Sequence, residues 1–403
     1  MGFRFGPQEV TLLRSDRGRD ALASAETFDL TKGSMLADLS ALRARYAPFE
    51  GALIETVLCR RRAREKLRGA DDMLFTDDAV QQATASAVAA HRAGEIAARF
   101  PGAVVHDVTC SIGAELVEMA GPEGISRVIG SDLDRVRLSM AQHNCAALAS
   151  AATLLVADAL TPTSTADVVI ADPARRSGAG RVFRLDQLTP PLPEILATYA
   201  GRPVAVKCSP GLDYRMLRER FGFTGQVQIV SLDGAVREAC LWTGRDGEPD
   251  RRATVLRTGS DGSTHVYEVT ADDADDVPSG EVGEWIIDPD GAVVRAGLVR
   301  QYARRHGLWQ LDPQIAYLTG DTVPAGERGF RVVETVGVSD KELRKALAAH
   351  DCGSLEILVR GLDVDPDRLR KRLKPKGSRP LTLVLTRIGR KGLGFLCEQG
   401  VRF

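Results

Sequence analysis

Apolar residues change their spacing near residue 100. Before that point they recur at helical intervals. Leu36, Leu39, Leu42 and Tyr46 fall on one face, and an Ala/Arg-rich stretch follows from Ala52 to Leu67. Val80 to Ala98 reads as one further helix, rich in the strong helix former alanine. From Ala103 short β-branched runs alternate with helical patterns. Ala103–Val108, Arg127–Ser131, Thr153–Val156, Asp167–Ala171 and Pro203–Lys207 read as strands. Helices are expected from about Ala114 and from Arg135 to Ala149. Val227–Ser231 and Ala239–Trp242 could complete the sheet. Continuous apolar strands alternating with helices predict an α/β fold, with a parallel sheet covered on both faces.

Residues 245–290 are rich in Asp, Gly, Thr and Ser, which predicts a boundary. A second α/β unit follows. Arg331–Val336 and Leu355–Val359 read as strands, and Ser339 with Glu342 forms a capping box. Asp365 followed by Pro366 starts another helix, and LTLVLT with GLGFLCE reads as an antiparallel pair. The expected division is a helical region 1–100, a sheet core 101–250, a connecting segment 251–300 and a C-terminal domain 301–403.

Charge sharpens this division. The chain of 403 residues carries 53 Lys/Arg against 54 Asp/Glu, so it is not a uniformly basic nucleic-acid binder. Residues 301–403 hold 19 of those cations against 12 acids, a basic module on an acidic body. Its densest run includes Arg368, Arg370, Lys371, Arg372, Lys374, Lys376 and Arg379. That run is either a solvated helix face or a phosphate-contacting patch. The 7 cysteines are scattered and form no C-x-x-C pair, which argues against a disulfide scaffold or structural zinc. They fit a reducing cytoplasm. No apolar run is long enough to span a membrane, and the opening residues do not read as a secretory signal. No two histidines stand at metal-ligand spacing; His106 and His143 read as packing or surface residues.

Candidate chemistry gathers at the strand ends. Asp107-Val108-Thr109-Cys110-Ser111-Ile112-Gly113 is a small-residue loop between the first strand and its helix, where a ligand can approach backbone N–H groups. Asp132 ends the second strand, about 25 residues on, where an acid can accept both hydroxyls of a ribose. Asp134 reads as the cap of the next helix. A dinucleotide is disfavoured, because residues 109–116 contain one glycine and lack G-x-G-x-x-G. An adenosyl cofactor without a pyrophosphate suits the pattern, with Asp158 and Ala159 at the adenine edge. Asp172-Pro173-Ala174-Arg175-Arg176 follows the fourth strand and faces the ligand crevice. Cys208 is a possible pyrimidine-attacking nucleophile or a small buried residue. Lys207 could hold a phosphate or pair with an acid.

These stretches together resemble class I S-adenosylmethionine-dependent methyltransferases, with a Rossmann-like sheet. More narrowly, the chain resembles a bacterial family that adds an N-terminal helical region and a C-terminal α/β THUMP-like domain. The motifs are Asp107-Val108-Thr109-Cys110; Asp172-Pro173-Ala174-Arg175-Arg176 with Gly180-Arg181; Lys207, Ser209, Pro210 and Asp213; and the tail from Gly297 to Glu398. The resemblance implies S-adenosyl-L-methionine as cofactor, held through Asp107, Thr109, Cys110, Gly113, Asp132, Asp158 and Ala159. It implies a reaction centre at Asp172, Pro173, Arg175 and Lys207. It also implies an RNA substrate, contacted through Arg370, Lys371, Arg372, Lys374 and Lys376. Two departures stand out. Ser111 replaces the usual first glycine of the loop. Ala174 and Arg175 stand where amino-group methyltransferases carry Pro and an aromatic, which leaves Phe183 or Tyr214 to stack on a base. The alternatives are a methyltransferase for a protein or small molecule, and a non-catalytic RNA binder on the same fold.

Overall fold

The computed structural model describes residues 2–146, 148, 152–175, 188–244 and 247–402, with the Arg175 side chain excluded. Arg176, Gly180, Arg181 and Phe183 lie outside the described residues. Two compact units divide the chain. The first comprises Met1–Val227 and Arg237–Glu248; the second comprises Gln228–Val236 and Pro249–Phe403.

The first unit opens with six helices: α1 (Pro7–Leu13), α2 (Asp16–Glu26), α3 (Met35–Tyr46), α4 (Glu50–Ala63), α5 (Asp77–Gln82) and α6 (Ser86–Arg99). Val10, Leu13, Leu22, Leu42, Leu53, Val57 and Phe75 form their core. The stretch from Val80 to Ala98 is not the single helix its composition suggests. Ala83 has ψ near 138°, so α5 stops there and α6 restarts at Ser86. Alanine permits a helix but does not compel one. Lys66 fixes the break by donating from Nζ to the carbonyl of Ala83 at 3.0 Å.

The sheet contains β1 (Ala103–Asp107), β2 (Ile125–Asp132), β3 (Ala152–Val156) and β4 (Val168–Ala171), with α7 (Ala114–Met119) after β1 and α8 (Arg135–Asn144) after β2. A two-residue ribbon, β5 (Ala174–Arg175) with β6 (Leu188–Thr189), is followed by α9 (Leu192–Thr198). Then come β7 (Val204–Cys208), α10 (Tyr214–Phe221), β8 (Gln226–Leu232) and β9 (Ala235–Trp242). Within the first unit the order is β9-β7-β4-β1-β2-β3. All neighbours are parallel except β7 and β9. The chain winds outward from β1 to β3, then returns to lay β4 against the other side of β1. That reversal opens a crevice at the carboxyl ends of the strands. Register sets those ends level, with Asp107 opposite both Gly130 and Ile170.

In the second unit, β10 (Arg251–Thr258) and β11 (Thr264–Thr270) form an antiparallel hairpin, within a segment whose polar composition suggests a linker. Its alternation is real but thinly apolar: Ala253, Val255 and Leu256 are buried, while Thr264, His265 and Val266 are exposed. Next come β12 (Trp285–Ile287), α11 (Gly291–Arg295), α12 (Val299–His306), β13 (Trp309–Gln310) and β14 (Leu318–Gly320). The last elements are β15 (Arg328–Val336), α13 (Asp340–Ala349), β16 (Cys352–Arg360), α14 (Pro366–Leu373), β17 (Arg379–Ile388), β18 (Lys391–Glu398) and β19 (Val401–Arg402). Ser339 caps α13 and Asp365 caps α14, as the sequence predicts. β17 and β18 pair antiparallel, and β16 lies parallel to β17. No helix among the described residues is long and apolar enough to cross a membrane.

Candidate active site

Asp107, Thr109, Cys110, Asp132, Asp158, Ala159, Asp172 and Lys207 line one cavity of about 400 Å³ at the strand ends. Each is placed by the strand that precedes it. Asp132 ends β2. Its Oδ2 accepts the Ser111 amide at 3.0 Å and its Oδ1 accepts the Asp134 amide at 2.8 Å. Each carboxylate oxygen therefore keeps a lone pair for a further donor. Asp134 caps α8 by accepting the amides of Val136 and Arg137. Asp158 is exposed and accepts the Leu160 amide at 2.9 Å; the neighbouring Ala159 carbonyl accepts the Tyr199 hydroxyl at 2.8 Å.

The loop after β1 approaches the cavity closely. Ser111 has φ +50°, the left-handed conformation that the usual glycine would adopt without cost. The serine therefore carries the backbone through a turn that a glycine would adopt without strain. Gly113, at φ +76°, does not line the cavity. It turns the chain into α7 where a Cβ would meet Cys145 Sγ at 3.0 Å and Ala141 Cβ at 3.1 Å. Asn144 holds this loop against the helical region. Its amide group exchanges hydrogen bonds with the Leu74 backbone and donates to the Ile112 carbonyl at 2.9 Å.

The Thr109 hydroxyl is committed within the protein. It donates to Asp107 Oδ1 at 3.3 Å and accepts the Asp172 amide at 2.7 Å, tying the loop after β1 to the end of β4. Burial pushes the Asp107 carboxyl up to about 6, against the opposing pull of the Thr109 amide and the Lys207 cation. Deep burial also holds the Cys110 thiol well above its ordinary value.

A buried ion-pair chain underlies the site, and the sequence gives little notice of it. Lys207 Nζ lies 2.7 Å from both Asp172 Oδ2 and Glu115 Oε2. Arg92 joins Glu115 to Glu238. Two cations thus face three carboxylates, and one negative charge is in excess. The more exposed end of the chain is Asp172, whose side chain is 39% accessible against 8% for Lys207. Paired with two acids, Lys207 is occupied as a charge-balancing group. Arg92 offers the one advance signal: it falls on the buried face of α6 with Val88, Ala89, Ala93 and Ile96, where a charge needs a partner.

A second cavity of about 480 Å³ shares Asp172, Ala174, Lys207 and the Gln82–Thr84 connector with the first. Pro173 and Cys208 line it. Burial, with Asp172 and Glu238 nearby, raises the Cys208 thiol well above its ordinary value. That environment opposes the thiolate a nucleophile needs. Tyr214 opens α10 and lines neither cavity. Residues 82–84 escape sequence reasoning because their composition continues a helix.

Of the basic run, Arg370 pairs with Asp367 at 2.7 Å and Arg372 with Asp340 at 3.0 Å. Lys371, Lys374 and Lys376 are exposed, with no ion pair among the described residues.

The THUMP domain-like family matches residues 327–399, and a domain of unknown function (DUF8688) matches residues 7–63. Proteins from two strains of Mycobacterium tuberculosis, CDC 1551 / Oshkosh and H37Rv, are each 51% identical to the chain over 356 residues. The match covers 86% of this chain and 96% of theirs; both are named as uncharacterized S-adenosylmethionine-dependent methyltransferases. A crystal structure from Porphyromonas gingivalis W83, provisionally named a methyltransferase, superposes with a TM-score of 0.76 at 18% identity. It covers 98% of this chain and 100% of its own, a likeness of fold.

Proposed function

The chain belongs to the S-adenosylmethionine-dependent methyltransferases, and from that premise we propose that the strand-end cavity holds the cofactor and that the methyl acceptor is RNA. The cavity fits an adenosyl group bearing an amino acid and a sulfonium. Its volume lies in the ordinary range for cofactor sites. Asp132 has lone pairs free for ribose hydroxyls, and the buried Asp107 carboxylate suits the positive ammonium. Asp158 and Ala159 line the same cavity, and in this reading they meet the adenine edge. When bound, the cofactor supplies an activated methyl group.

The protein's part is then placement and electrostatics. Thr109 holds the Asp172 backbone at a fixed distance from Asp107. Lys207 fixes the Asp172 carboxylate, which accepts a hydrogen bond from an acceptor N–H or O–H in the adjoining cavity. Pro173 restricts the turn that carries this carboxylate. The observation that carries the site assignment is the meeting of both cavities at Asp172 and Lys207.

RNA as acceptor is supported by the THUMP domain-like match and the exposed Lys371, Lys374 and Lys376. The test is mass spectrometry of nucleosides from the RNA of cells with and without the gene. The reading expects one methylated nucleoside to vanish with the gene and return with the parent chain but not with Asp172→Ala. Identical nucleoside profiles would remove RNA as the substrate.

A further inference from the structure

The second cavity contains more positive charge than its acids balance. Lys66, Lys207 and Arg237 line it, with Asp172 and Glu238 as the carboxylates. Those two acids are already engaged, Asp172 by Lys207 and Glu238 by Arg92. Lys66 and Arg237 remain. Lys66 donates to the carbonyls of Gln81 and Ala83, which uses two of its three N–H groups and neutralises no charge. Arg237, exposed on β9, has no hydrogen bond or ion pair to an acid among the described residues. Burial lowers the Lys66 ammonium below its ordinary value, as do the cations Arg237 and Lys207, so the site favours an added anion.

We propose that this cavity is the acceptor site and that Lys66 and Arg237 hold a phosphate of the nucleotide being methylated. The inference rests on the cofactor assignment above and adds the acceptor's anchoring group. A phosphate between two cations suits the site better than a carboxylate, because its oxygens can take the spare Lys66 N–H and the Arg237 fork together. The Gln82–Thr84 connector, Asp172, Ala174 and Lys207 line both cavities, so a nucleotide anchored there adjoins the cofactor position. Ala83, Ala85, Pro173, Ala174, Leu188 and Pro210 give the cavity small apolar surfaces for a base or sugar. No aromatic side chain among the described residues lines it.

The test is calorimetry on the full chain saturated with S-adenosylhomocysteine. The four nucleoside 5′-monophosphates are titrated alongside the matching nucleosides. At least one monophosphate is expected to bind tenfold or more tightly than its nucleoside, and inorganic phosphate is expected to compete. Arg237→Glu should abolish that preference with S-adenosylhomocysteine affinity unchanged, which also verifies folding. Lys66→Gln is a second variant expected to lose the preference, with its S-adenosylhomocysteine affinity reporting any shift of the Ala83 connector that Lys66 holds. Equal affinity of nucleotide and nucleoside, or a preference that survives both substitutions, would overturn the proposal. Loss of S-adenosylhomocysteine binding in the parent would instead refute the cofactor assignment. Tight monophosphate binding without any change in cellular RNA would keep the anchor and reject RNA.

Discussion

At the scale of single residues, the carboxylates differ by environment more than by identity. Asp107 is buried and raised to about 6, whereas Asp158 is exposed. A folded-state carboxyl raised above its unfolded value costs stability once it ionises, so this contribution is lost as pH rises through about 6. An ammonium ligand favours the ionised form. Cofactor affinity should therefore hold steady above pH 7 and fall as pH drops through about 6, with Asp107→Asn giving a flat profile. Titration of S-adenosylhomocysteine from pH 5 to 8 checks this, and an unchanged slope in the variant would contradict it. Ser111 gives a second expectation. At φ +50° a glycine removes strain of about 1 kcal/mol, offset by its greater freedom in the unfolded chain. Ser111→Gly should leave thermal stability level or slightly higher, and a marked loss would refute the strain argument. The residue types at the strand ends are legible in the sequence because acids after apolar strands have few structural uses. Gly113 is the exception. Its glycine answers Cys145 and Ala141 behind it, and only packing shows that.

At the scale of elements, the six strands of the first unit's sheet are readable from their apolar runs, and the expected helix caps are in place. The break at Ala83 is not readable, because a run of good helix formers says nothing about a tertiary contact such as that from Lys66. The same holds for the ion pairs joining α6, α7, β7 and β9. Arg92 and Glu115 are 3% and 7% exposed, so each depends on the other for compensation. Glu115→Ala takes one partner from each of two buried cations, which keep Asp172 and Glu238, and should cost about 1–3 kcal/mol in urea unfolding. A loss below about 1 kcal/mol would mean the chain of charges is solvated in solution.

At the scale of the whole molecule, the charge asymmetry is plain from the order of the residues, but its meaning is not. Arg370 and Arg372 spend their charge on neighbouring aspartates, while three lysines stay open to solvent. Counting basic residues overstates the surface available to phosphate. If those lysines contact RNA, replacing Lys371, Lys374 and Lys376 with alanine should weaken binding by the full chain and reduce its salt slope by about two to three. Replacing Arg370 alone should change the slope little.

The central claim is that Asp132 grips the adenosyl cofactor while Asp172 serves the reaction beside it. Calorimetry of S-adenosylhomocysteine binding to the parent, Asp132→Ala and Asp172→Ala tests it most directly. The account predicts clear binding by the parent, a loss of at least tenfold for Asp132→Ala, and parent-like affinity with no methyl transfer for Asp172→Ala. Equal affinity of Asp132→Ala and the parent would contradict it.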